Sequence, residues 1–325
     1  MNRDLDLIIK TQKGPVAPAI LDGACWDTER KGIPGKFTFK CIFDELNQFE
    51  EGDLVTVKYK NEEVFYGFVF TISRDRDKIL SVTAYDQLRY LKNKDIYYYE
   101  NKKASEVLKM IADDFKLNCG EIEDTKYVIR ERLEDNVALF DVILTALNIT
   151  LQNTKRLYVI YDDFGKITLK DVESLKLNEG IFIDETISEN FSYSSSIDKT
   201  YNKIKLTREN KEKGVREIYF SPNTEAEIKN HTYEKWGILQ YYDRVDEKEN
   251  PQVKADSLLK LYNRKFKSLS IKNVFGNVKV RAGVSIVVKL GDIKVSNYML
   301  VESVKHTFNK DEHFMDLKLR GADIE

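Results

Sequence analysis

The strongest constraint on this chain is a β pattern that occurs twice, far apart. Near the C-terminus, residues 278–283 lead into the runs 285–290, 298–304 and 314–319. Each run is short, rich in β-branched and apolar residues, and bounded by Gly, Asn or Asp, the pattern of successive antiparallel strands. Ala282-Gly283 reads as a turn, and residues 309–312 as the tip of the last hairpin. Alternation puts His313, Met315, Leu317 and Leu319 on one face of the final strand and Phe314, Asp316, Lys318 and Arg320 on the other. The same order appears near the start. Glu51-Gly52-Asp53 turns into run 54–59, Asn61-Glu62 turns into run 64–72, and a charged tip at 74–78 leads into run 79–85. Gly52 and Gly283 hold equivalent places, as do runs 64–72 and 298–304, and runs 80–85 and 314–319. The reading is one small antiparallel unit used twice.

Between the two copies the period changes. Ala104, Val107, Leu108, Ile111 and Phe115 fall at helical spacing, with Asn118-Cys-Gly120 after them. Asn136 is the expected N-cap of a second helix, with Val137, Phe140, Leu144, Leu147 and Leu151 as its buried stripe. Asp162-Asp-Phe-Gly165 turns a hairpin between runs 156–161 and 166–169. Asn250-Pro251 starts a third helix, with a stripe of Leu258, Leu259, Tyr262, Phe266 and Leu269. The expected fold class is β-rich α+β: two similar small antiparallel β-barrels separated by a helix-containing α+β module. The expected division is a first barrel over 1–100, the middle module over 101–184, a second barrel from 185–222 with 270–325, and an insertion with a helix over 223–269.

Composition narrows function. A formal net charge of −2 lacks the basic excess of a dedicated nucleic-acid binder. Cys25, Cys41 and Cys119 contain no CxxC pair, so neither a disulfide framework nor a thiolate metal site is indicated. The charged N-terminus gives no signal peptide, and no apolar run approaches a membrane span. Synthesis in the cytoplasm, with no membrane insertion, is the expectation.

The first meander runs on into Ala84-Tyr-Asp-Gln-Leu-Arg-Tyr-Leu-Lys-Asn-Lys94. That run, with Val64-Phe-Tyr-Gly-Phe-Val69, resembles the XkdQ/YqbQ-type tail-hub family of phage-like elements, relatives of the late-control-D and T-even-phage hubs. Val280-Arg-Ala-Gly283, residues 301–306 and residues 313–317 resemble the same family's second barrel. The resemblance covers most of the chain. It implies two barrels per subunit and a place in the baseplate of a contractile tail or tail-like bacteriocin, between a six-fold tail tube and a three-fold spike; since three chains with two barrels each offer six similar surfaces, a homotrimer is expected there. Implied partners are the tube or tube-initiator protein above, the spike below, a baseplate wedge and a LysM-type tail protein.

Candidate chemistry is thin. His306 and His313 flank the last tip and would sit opposite each other across a two-residue turn, with Asp311 or Glu312 as oxygen ligands. No third protein ligand and no HExxH helix accompany them, so no metal is expected. The acidic pairs Asp113-Asp114, Glu134-Asp135 and Asp162-Asp163 invite comparison with glycosidase carboxylates, but capping and solvation explain such placements. No Walker, Rossmann or GxSxG pattern occurs, and Gly32-Ile-Pro-Gly35 reads as a plain turn. Basic clusters at 74–78, 92–94 and 264–267 read as tips and solvated helix faces. The expectation is a non-enzymatic structural hub with no cofactor and no sequence-specific nucleic-acid contact. The competing classes are a tail-tip peptidoglycan hydrolase, for which a chain ending at Glu325 leaves little room, and a carbohydrate-binding module built on Tyr97-Tyr-Tyr99 and Tyr241-Tyr242.

Overall fold

The computed structural model describes residues 4–45, 48–177, 182–183, 190–210, 214–222, 232–245, 250–291, 295–310 and 312–321. The first β unit comprises β1 (Leu5–Thr11), β2 (Gly14–Val16), β3 (Ala24–Glu29), β4 (Lys36–Ile42), β5 (Leu54–Tyr59), β6 (Glu62–Arg74) and β7 (Ile79–Tyr85). The middle region holds β8 (Lys94–Lys103), α1 (Ala104–Asp114), β9 (Cys119–Ile122), β10 (Val128–Ala138), α2 (Leu139–Thr154), β11 (Tyr158–Asp162) and β12 (Ile167–Asp171). Then follow β13 (Phe182–Ile183), β14 (Asn190–Ser196), β15 (Lys203–Asn210), β16 (Val215–Ser221), α3 (Tyr233–Trp236), β17 (Gln240–Arg244) and α4 (Pro251–Tyr262). The chain closes with β18 (Phe266–Phe275), β19 (Ser285–Leu290), β20 (Val295–Phe308) and β21 (His313–Gly321).

The two meanders match pairing by pairing. β5, β6 and β7 form consecutive antiparallel ladders, and so do β19, β20 and β21. Leu54 pairs with Phe68 as Ser285 pairs with Leu300. Val69 pairs with Ala84 before a bulge, and Val301 pairs with Leu319 before a bulge. The entry turns coincide as well. Gly52 (φ 96°) and Gly283 (φ 94°) both adopt the left-handed conformation that suits glycine. The Gly52 N–H donates to Val69 O and the Gly283 N–H to Val301 O, each at 2.8 Å. The Val69 N–H donates back to Asp53 O, and the Val301 N–H to Val284 O, each at 2.9 Å. Outside the meanders the match continues: β4 pairs with β7 and β3 with β4, as β18 pairs with β21 and β14 with β18. It ends at the inner strands, where β1 lies antiparallel to β5 but β13 parallel to β19.

Both units belong to one 13-stranded sheet whose path is β14-β18-β21-β20-β3-β4-β7-β6-β5-β1-β2. Each unit encloses its own core. Leu7, Ile9, Phe37, Phe39, Val55, Val57 and Val82 fill the first, and Leu269, Ile271, Ile286, Val288, Val304 and Leu317 the second. Burial alternates along β21, with His313, Met315, Leu317 and Leu319 inward, because successive strand residues face opposite sides.

Several boundaries differ from those read in the sequence. Residues 94–100 lie in β8, which pairs with β10 rather than with the first unit. Among residues 185–222 only β14 joins the second unit's sheet, since β15 pairs with β16 and β17 and packs on α4 around Ile204, Leu206, Ala255 and Leu258. Asn136 is not a cap: it takes φ 56° inside a bulge of β10, the strand runs on to Ala138, and Leu139 N–H donates to Asn93 O at 2.9 Å. The later start rotates the buried face of α2, so Leu139, Phe140, Val142, Ile143, Ala146 and Leu147 point inward while Leu144 and Leu151 are half-buried. α4 begins at Pro251 with Asn250 as its cap, as expected, but it ends at Tyr262, so Phe266 and Leu269 belong to β18. The described part of the 223–249 stretch supplies α3 and β17, and its other residues lie outside the described ones.

Candidate assembly interface

The two units are joined by a β ladder. The distal half of β20 pairs with β3 in six antiparallel pairs, from Ser303↔Glu29 through His306↔Trp26 to Phe308↔Ala24. Beside that ladder, at the bulge of β20, Glu302 accepts both Nε and Nη2 of Arg30 at 3.0 Å and also meets Arg320 Nε at 3.0 Å. Burial works against the Glu302 charge, yet the two guanidiniums outweigh it and hold the carboxyl below its usual range. Further along, Trp26 stacks on His306 with ring centroids 5.0 Å apart.

His306 and His313 are inside this joint, not on its surface. The hairpin register is shifted from the one that would set them opposite: Asn309 N–H donates to Glu312 O at 2.9 Å, so His313 pairs with Phe308 and His306 with Met315. The rings still meet: His306 Nδ1 lies 2.8 Å from His313 Nε2, and His306 Nε2 lies 2.8 Å from Val280 O. A carbonyl only accepts, so His306 Nε2 carries the proton and its Nδ1 accepts from His313 Nε2–H. Both nitrogens of His306 and one of His313 are thus committed to hydrogen bonds. Burial, then the neighbouring His313, pushes His306 down to about 3, while burial and Lys60 push His313 down to about 4. Glu312 is an exposed tip residue, Asp311 lies outside the described residues, and no group of three potential ligands forms among the described residues.

The acidic pairs are dispersed. Asp114 at the end of α1 accepts from Tyr97 Oη at 2.8 Å, and Glu134 accepts Arg132 Nε at 2.9 Å and Nη2 at 2.7 Å. Asp162 accepts Gly165 N–H at 2.6 Å in the hairpin turn. Its neighbour is a residue the sequence reading did not single out: Asp86, buried, which accepts Gly35 N–H at 2.8 Å and caps the following turn through Leu88 N–H at 3.0 Å. Burial raises both carboxyls, Asp162 to about 6, and mutual repulsion adds to the rise at Asp86. Sequence proximity could not reveal this pair, because 76 positions separate Asp86 from Asp162. The tyrosine runs alternate: Tyr97 and Tyr99 are buried and Tyr98 exposed, while Tyr241 packs with Tyr201 and Tyr262 and Tyr242 points outward. Neither run presents a continuous aromatic platform. The basic tips pack on rings, Arg74 over Phe43 and Arg264 over Phe266. Cys25 is half-buried with its Sγ 3.8 Å from Thr307 Oγ1, in the same joint.

Two places in the sheet mirror the joint yet are open among the described residues. There β14 ends the sheet path, and the distal half of β6, from Thr71 to Arg74, pairs on one side only, with β7.

Comparison with known proteins agrees with this architecture. The model of the YqbQ-like family matches residues 24–320. Protein YqbQ of Bacillus subtilis is 30% identical over 311 residues, covering 92% of this chain and 91% of that protein. Protein XkdQ of the phage-like element PBSX, also of B. subtilis, is 29% identical over 277 residues, covering 82% of this chain and 81% of XkdQ. Among solved structures, the 43 kDa tail protein of prophage MuSo2 from Shewanella oneidensis superposes with a TM-score of 0.67 at 11% identity, covering 97% of this chain and 98% of that one.

Proposed function

The chain belongs to the YqbQ-like family and has a phage tail-protein fold, and from that premise we propose that it is the structural hub of a contractile-tail baseplate. In this reading three copies close a ring between a six-fold tail tube and a three-fold spike, with a baseplate wedge and a LysM-type tail protein as further neighbours. The observation that carries it is the ladder-by-ladder match of the two β units. Three chains then offer six similar β units toward the tube while keeping three-fold symmetry toward the spike. A head-to-tail interface closes into a ring when its rotation divides the full turn, which in this reading it does at three copies. The function is assembly, and no bond is made or broken. The chain is made in the cytoplasm and ends up in the baseplate of a virion or tail-like particle.

The test is location. A small tag fused to this chain, seen in low-resolution images of the particle, is expected where tube meets spike. A tag on the capsid, or along the sheath, would refute the hub reading. The hydrolase alternative is separable by a cell-wall zymogram: no clearing zone is expected, and clearing abolished by changing one acidic pair would reverse the conclusion.

A further inference from the structure

We propose that neighbouring copies are joined by a β ladder between the distal half of β6 in one chain and β14 in the next, in the register already used by the in-chain joint. The inference rests on the ring reading and specifies its interface.

The internal match fixes the correspondence. Through their partners on β7 and β21, Thr71, Ile72, Ser73 and Arg74 occupy the places of Ser303, Val304, Lys305 and His306. Through β4 and β18, Tyr193, Ser194, Ser195 and Ser196 occupy the places of Trp26, Asp27, Thr28 and Glu29. Inside the chain, the second set of places pairs with the first: Ser303↔Glu29, Val304↔Thr28, Lys305↔Asp27 and His306↔Trp26. Carried across to a second copy, this gives Thr71↔Ser196, Ile72↔Ser195, Ser73↔Ser194 and Arg74↔Tyr193.

The side chains are consistent with that transfer. At the in-chain joint an Arg30–Glu302–Arg320 cluster sits at the bulge. The corresponding places are Ile197, Phe70 and Tyr85, where Phe70 already packs edge-on against Tyr85 at 5.4 Å. A charged cluster within the chain is replaced by an apolar one divided between the two open edges, so each edge matches the other. Lys305 opposite Asp27 becomes Ser73 opposite Ser194, which leaves no unpaired charge. Trp26 stacked on His306 becomes Tyr193 beside Arg74, whose guanidinium already lies over the Phe43 ring, so the second ring joins an existing cation–ring contact. The core ends are equally informative. Ala24 and Trp26 are buried beneath β20, whereas Phe191, in the place of Ala24, is 38% exposed and Tyr193 is only half-buried.

β14 reads Asn-Phe-Ser-Tyr-Ser-Ser-Ser, without a charge or a proline. Edge strands that must remain unpaired are normally guarded by such residues. Within one chain the two edges do not pair with each other: among the described residues β14 is laddered to β18 and the distal half of β6 to β7.

The experiment places cysteines at Ser73 and Ser194, in a Cys119→Ser background, and oxidises assembled particles. Side chains on this parity of the ladder are close, as Cys25 and Thr307 show at 3.8 Å. Ser73→Cys with Ser194→Cys is expected to give a reducible covalent product of three chains. Ser73→Cys with Ser192→Cys, two residues out of register and beyond disulfide reach, is expected to give none. If the doubly substituted chain does not assemble, the two single variants co-expressed in separate chains are expected to give a two-chain product. Failure of Ser73/Ser194 to cross-link in assembled particles, or preferential cross-linking of Ser73/Ser192, overturns the proposed ladder without touching the ring. A Ser73/Ser194 product that is not limited to three chains upholds the ladder and overturns the ring.

Discussion

The histidine pair makes a quantitative prediction about the joint. Both rings are neutral in the folded chain, with His306 at about 3 and His313 at about 4, whereas an unfolded histidine titrates near 6.5. The folded values are depressed, so the unfolded state binds more protons below pH 6.5. Stability is therefore complete above that pH and is lost as pH falls toward 4. At pH 5.5 the loss is about 1.4 kcal/mol per histidine, or roughly 2.8 kcal/mol for the pair relative to pH 7.5. The perturbation is His313→Gln, whose amide can still donate to His306 Nδ1 but cannot titrate. It is expected to cut the pH-dependent loss by half, to about 1.4 kcal/mol, whatever it costs at pH 7.5. Trp26, stacked on His306, reports the transition by fluorescence in a Trp236→Phe background. Because the described residues form four separate cores, the comparison is made in the urea transition that Trp26 follows, not on a global midpoint. Other titrating groups are common to both proteins and cancel in the difference. An identical pH-dependent loss in the two proteins would refute the neutral, hydrogen-bonded assignment.

Three further outcomes follow. Ile143 is fully buried on α2, so Ile143→Asp places an unpaired charge in the middle core and is expected to cost several kcal/mol, seen as a lowered Tm, while Leu144→Asp on the half-buried side costs less. Asp162 is raised from 3.8 to about 6, so its charge is a penalty above pH 6 that disappears as pH falls toward 4; Asp162→Asn is expected to stabilise by up to about 3 kcal/mol at pH 8 and by nothing near pH 4, measured by urea unfolding at both. Purified protein is expected to carry no stoichiometric transition metal, and elemental analysis giving about one metal per chain, lost in His306→Ala, would contradict the assigned hydrogen bonds.

The repeat was legible in the sequence because both copies keep the features that set register: a glycine at the entry turn, alternation along the strands and a polar tip. The His306–His313 contact was legible as proximity, but its role was not, since burial by Trp26 and Tyr59 comes from elsewhere in the chain. The start of α2 was misread because Asn136 satisfies a cap preference and a bulge preference equally, and the competing strand partner, β8, is some 30 to 40 residues upstream. The allocation of β15 and β16 failed for the same reason: their composition fits any sheet, and only α4, packed on Ile204 and Leu206, decides which. The Asp86–Asp162 pair and the β3·β20 joint depend wholly on tertiary contacts, so no local pattern marks them.

The central claim is that one chain carrying the same β unit twice serves a six-to-three-fold transition. It is tested most directly by a symmetry-resolved reconstruction of the baseplate at the level joining tube to spike. Three copies are predicted there, their six β units around one ring and each β14 beside the β6 of its neighbour. Six copies at that level, or a single one, would contradict the account.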